Sequence, residues 1–164
     1  MVAAGAAVWW WRLKMVKEAG SEIIDSVERM RGAYKRRQFR KAAEAAPLAS
    51  IQNPAIAAVV FFLVLANEKP IQKDLAKKVI RERMKDIIAA QDMDEVLIFA
   101  DWTAKSVVNL DDPVRRFRDM WLNALDESER RQLIDIGEQV AGTGGEPTPQ
   151  QTDALQKLKR AMLN

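Results

Sequence analysis

The side chains that could do chemistry in this chain are carboxylates. Asp92 with Asp94, Asp111 with Asp112, and Asp126 with Glu127 and Glu129 are the closest acidic sets. Oxygen ligands of this kind suit Mg²⁺ or Ca²⁺, and neighbouring carboxylates can divide acid and base roles. Two absences narrow the field. None of the 164 residues is histidine, which removes the usual general base and the commonest transition-metal ligand. None is cysteine, so no disulfide, thiolate zinc site or cysteine nucleophile is available. Ser106 and Ser128 have no activating partner nearby in sequence. Each acidic set also stands where a helix is expected to begin, and there capping and the helix dipole account for it without a site. None of the spacings matches a calcium-binding EF-hand loop. The acidic residues therefore read as helix starts, with no catalytic, metal or cofactor-binding residue assigned.

Gly142-Thr143-Gly144-Gly145 could offer backbone N–H groups to a phosphate. It lacks the Lys-Ser/Thr ending of a P-loop, and no strand precedes it, so a helix C-cap followed by a turn is the preferred reading.

The elements that position these residues are read from periodicity. A hydrophobic fraction of 48% and a charged fraction of 30% are those of a globular protein. Pro and Gly fall at punctuation points, apolar residues between them recur with helical period, and no stretch alternates as a strand would. Asn53-Pro54 forms a cap and first-turn proline, opening the run AIAAVVFFLVLA from Ala55 to Ala66. Twelve residues make about 18 Å of helix, too short for a bilayer core of about 30 Å, so the run is expected to be a central, fully buried helix. Pro70 opens a helix whose inner face is expected to carry Ile71, Leu75, Val79 and Ile87. Asp92, Asp112 and Asp126 are expected to cap the next three, and Thr148-Pro149 the last. The fold class is all-α, a bundle of seven to eight short helices.

Charge divides the chain. From Arg12 to Lys41 ten basic residues face four acidic ones, whereas the 123 residues from Ala42 onward hold 16 basic and 19 acidic. An amphipathic basic arm (21–52) is expected, with Ile23, Ile24, Val27, Met30 and Tyr34 on one stripe and Lys35, Arg36, Arg37, Arg40 and Lys41 as a basic patch. A solvated face and an anionic partner both explain that patch. One basic segment without a binding motif, on a near-neutral body, argues against nucleic acid. Before the arm, residues 1–20 begin MVAAGAAVWWW, uncharged, and continue through Arg12, Lys14 and Lys17. Tryptophan favours the membrane–water interface, and adjacent bases favour an anionic leaflet. Trp9, Trp10 and Trp11 with those three bases are the candidate membrane or partner contact. Docking on the helical body and a subunit interface are the competing readings. The segment lacks the pattern of a signal peptide, so a cytoplasmic location, peripheral on the inner face of the membrane, is expected.

Two stretches share a plan. LVLANEKPIQKDLAKKVI (63–80) and IGEQVAGTGGEPTPQQTDALQKL (136–158) each run from apolar helix through a short turn to a capped helix. This resembles the twice-repeated pattern of TerB-like domains, the family of the tellurite-resistance protein TerB and of the N-terminal part of a membrane-anchored DnaJ-type co-chaperone. The match covers about two-thirds of the chain, residues 53–164. Asn67-Glu68 and Gly144-Gly145 stand where the family has Asp-Gly, with Asp74 and Gln151 at its Glu positions. Three of the four acidic positions are therefore absent. The resemblance implies an all-α fold and a non-enzymatic, stress- or envelope-associated role with a protein partner. A second copy of the chain is the alternative partner.

Overall fold

The computed structural model describes residues 48–164. Within them the chain is helical, with six α-helices and one 3₁₀ turn and no strand. Helix α1 (Pro54–Ala66) is followed by the 3₁₀ turn Pro70–Gln72, α2 (Lys73–Met84), α3 (Ala90–Lys105), α4 (Asp111–Ala124), α5 (Glu127–Ala141) and α6 (Pro149–Leu163). Of the amphipathic helical arm expected over 21–52, the part up to residue 47 lies outside the described residues, and 48–52 is a turn leading into irregular chain with Ile51 buried, not helix.

All 13 residues of α1 are buried. A helix apolar on every side has no face to offer water, so it can only be satisfied at the centre. It packs most extensively on α3, then on α5, α4 and α2, while α6 closes over α4 and α5. Asn53 caps it as expected, its Oδ1 accepting from the N–H groups of Ala55 (2.8 Å) and Ile56 (3.3 Å). Gly137 lets α5 come close to both α1 and α6. A Cβ there would lie 3.0 Å from Leu155 Cδ2 and 3.6 Å from Phe61 Cε1. No helix among the described residues is long and apolar enough to cross a membrane.

Three local expectations are corrected. Helix α3 begins at Ala90, two residues before Asp92, which is buried in the first turn and is not the cap. Helix α4 begins at Asp111, and it is Asn109 Oδ1 that accepts from the Asp111 N–H at 3.1 Å, so Asp112 lies inside the helix. The inner face of α2 is Ala76, Ile80 and Met84, whereas Ile71 and Leu75 are exposed. Burial of Ala76, Ile80 and Met84 sets that rotation, and ion pairs to other helices are compatible with it. Arg83 reaches Asp135 (2.9 Å) and Gln139 Oε1 (2.5 Å) on α5, while Lys73 and Arg81 each pair at 2.5 Å with Asp101 and Asp94 on α3. These tethers flank the buried face of α2, and its other side, with Leu75 and the preceding Ile71, is left toward water.

Candidate functional site

The acidic sets do not converge. Asp94 pairs with Arg81 on α2 and is exposed, while Asp92 is buried. Asp111 is held by Lys157, and Asp112 by Arg115 one turn along its own helix. Lys157 also lies 2.9 Å from Asp153, and its pKa is raised, chiefly by the hydrogen bond to Asp111 and then by that to Asp153. Asp126 and Glu129 form a reciprocal capping box at the start of α5, each side chain accepting from the other's backbone N–H at 2.9 Å. Glu127 pairs with Arg131 at 2.8 Å. Among the described residues no three carboxylates gather closely enough to hold a metal ion.

The glycine-rich turn behaves in the opposite sense from a phosphate cradle. Three of its four N–H groups are spent locally, Gly142 on Glu138 O, Thr143 on Val140 O and Gly145 on Gly142 O. Its carbonyls converge instead on the Lys69 ammonium, which donates to Ala141 O (2.9 Å), Gly145 O (3.2 Å) and Thr143 O (3.4 Å). Carbonyls at a helix C-terminus carry partial negative charge, so a lysine is the fitting occupant. Gly144 adopts φ +76°, and a Cβ there would fall 2.5 Å from the Gln72 side chain. The turns 67–72 and 142–148 thus close on each other. Sequence reading missed Lys69, because its partners lie more than 70 residues away. Replacing Lys69 with methionine removes three acceptor contacts while keeping the stem. It is expected to lower stability by about 1–2 kcal/mol, read by urea unfolding. An unchanged midpoint would show the clamp to be energetically idle.

A second constellation was not foreseen. Asp101 on α3, its side chain 15% exposed, lies 2.5 Å from Lys73 Nζ, 3.5 Å from Lys105 Nζ and 3.8 Å from Lys77 Nζ. Burial pushes its carboxyl up, but the Lys73 contact and the three ammonium charges outweigh it, and the pKa falls below the ordinary carboxylate value. A depressed folded-state pKa contributes stability above the unfolded value of about 3.9 and loses it as pH falls through the folded value. Asp101→Asn is therefore expected to be less stable than the parent at pH 7. Urea midpoints measured from pH 7 down to about pH 2 should show that gap closing below about pH 4. A gap constant with pH would assign the loss to packing.

The contact residues expected from the sequence, Trp9, Trp10, Trp11, Arg12, Lys14 and Lys17, and the basic patch Lys35, Arg36, Arg37, Arg40 and Lys41, all lie outside the described residues. Within 48–164 the geometry brings together a lysine clamp between two turns and a lysine-rich corner where α2 begins and α3 ends. Neither a protein-family model, nor a curated protein, nor a solved structure matches the chain.

Proposed function

We propose that the chain is a non-catalytic helical interaction module, TerB-like in plan, which works peripherally at the cytoplasmic face of a membrane and there engages another protein in a stress- or envelope-associated role. The observation that carries this reading is the uncharged run MVAAGAAVWWW followed at once by Arg12, Lys14 and Lys17. Tryptophan rings settle at the headgroup level, and each base adds about 1 kcal/mol near an anionic leaflet. The body supports a non-catalytic role, since Asp94, Asp111, Asp112, Asp126, Glu127 and Glu129 of the acidic sets are taken up by a cap or by pairs with lysine and arginine. The closing of the two turns through Lys69 supports the TerB-like plan, in which the corresponding turns are the repeated feature.

The test is co-sedimentation of the whole chain with neutral and with anionic vesicles, beside a variant with Trp9, Trp10 and Trp11 changed to alanine. Binding that needs both anionic lipid and the tryptophans is the expected result. A variant that binds as well as the parent would sink the interfacial role of the segment. The rival reading is a soluble oligomeric scaffold with the aromatic segment between subunits. It requires a concentration-dependent mass in solution that is lost on removing residues 1–20.

A further inference from the structure

Four large apolar side chains are exposed among the described residues, and all belong to α2, α3 or the turns at their ends: Ile71, Leu75, Ile98 and Val108. Ile71 and Val108 are each 94% exposed. They come from opposite ends of the 71–108 stretch, yet one ion-pair cluster draws them to the same end of the bundle. Lys73, two residues after Ile71, and Lys105, three before Val108, both reach Asp101. Arg81 with Asp94 further along confirms that α2 and α3 run antiparallel. Ile71 is also held in place, because the turn that carries it is fixed by Pro70 and by the Lys69 clamp. An isoleucine kept in water by a pinned turn, on the helix face that the hydrophobic pattern would place inward, contradicts the fold's own needs.

Along the two stretches that carry Ile71 and Val108, bases outnumber acids. Residues 71–78 and 101–108 contain Lys73, Lys77, Lys78 and Lys105 against Asp74 and Asp101, four cations to two anions. Lys78 and Lys105 stand out in solvent. Protein interfaces concentrate Tyr, Trp and Arg and are poor in lysine. Protruding aliphatic tips among long, flexible lysines suit lipid instead, where the tips enter the headgroup boundary and the ammonium groups stay among the phosphates. We propose that the end of the bundle where α2 starts and α3 stops docks on an anionic phospholipid surface, with Ile71 and Val108 entering the interface and Lys78 and Lys105 pairing with headgroups. This rests on the peripheral-membrane reading and adds to it a second contact, which fixes how the folded body faces the bilayer.

The absence of cysteine makes the test clean. Single cysteines replace Ile71, Val108 or, as control, Ser128, and each full-length chain carries a polarity-sensitive fluorophore there. Ser128 is exposed at the start of α5, whose other end meets Lys69, so it marks the far end of the bundle. With vesicles containing phosphatidylglycerol, emission at positions 71 and 108 is expected to rise about threefold and shift to the blue, with position 128 unchanged. Lys78→Gln and Lys105→Gln are each expected to weaken vesicle binding about fivefold. All of these side chains are solvent-exposed, so the variants should fold. A chain that sediments with vesicles while probes at 71 and 108 stay in water would overturn the docking face and leave the tryptophan anchor standing. Buried probes at 71 and 108 in the triple tryptophan variant would establish the face and remove the anchor. A chain that binds no vesicles at all would overturn both.

Discussion

Replacing Trp121 with alanine is expected to lower the stability of the folded chain by about 3–5 kcal/mol, a large share of the 5–15 kcal/mol typical of a domain. Trp121 is fully buried on α4 and does three things at once. Its ring meets Phe61 edge-on, with centroids 6.1 Å apart, and Phe117 at 5.5 Å. Its indole N–H donates to Pro54 O at 3.1 Å, in the first turn of α1. Its volume fills the space between α4 and the central helix, so alanine leaves a cavity that surrounding helices can close only in part. Trp121→Phe separates these contributions. Phenylalanine keeps most of the volume and the ring contacts but loses the donor, so it should cost about 1–2 kcal/mol. Urea unfolding of the two variants beside the parent checks both values. If phenylalanine proves as damaging as alanine, the hydrogen bond and not the ring is what fastens α4 to α1.

What the sequence revealed in advance was whatever depends on neighbours a few residues apart. Asn53-Pro54, the Asp126–Glu129 pair and Thr148-Pro149 are complete local devices, and each opens a helix where the pattern places it. The run from Ala55 to Ala66 could be assigned to the centre because no amphipathic alternative exists for it. Features that failed depend on distant partners. Nothing local distinguishes Ile71 and Leu75 from a core stripe, whereas Val79 does pack against the core and Ile87 is buried; the contacts that turn Ala76, Ile80 and Met84 inward come from distant helices. The starts of α3 and α4 were misplaced because Asp92 and Asp112 are good first-turn residues as well as good caps. Asp101 with Lys105 one turn along is an ordinary pair within α3, and the cluster is completed by Lys73 and Lys77 from α2, which meet it only in the fold.

Gln151→Glu, a change of one side-chain group, is expected to destabilise the chain by about 3–5 kcal/mol at neutral pH, because it places an uncompensated charge in the interior. Gln151 is fully buried and serves two helices. Its Oε1 accepts from the Thr148 N–H at 2.9 Å, completing the capping box of α6, and its Nε2 donates to Leu65 O at 2.8 Å near the end of α1. A carboxylate could keep the first contact but would set a negative oxygen against the Leu65 carbonyl in place of a donor. The donor to the Leu65 carbonyl is what makes an amide, and not a carboxylate, fit this position. The pH dependence follows from the same geometry. Burial and the facing carbonyl raise the folded-state pKa of the introduced carboxyl above its unfolded value of about 4.3. The protonated acid can donate to Leu65 O, so stability relative to the parent is regained below about pH 4.3 and lost as pH rises through the folded value. Gln151→Ala lacks that proton and should cost about 1–3 kcal/mol without the same pH dependence. Urea unfolding of both variants at pH 7 and pH 4 distinguishes a buried charge from a merely broken cap. A glutamate variant that tracks the alanine variant at both pH values would show that the Leu65 carbonyl does not govern this position.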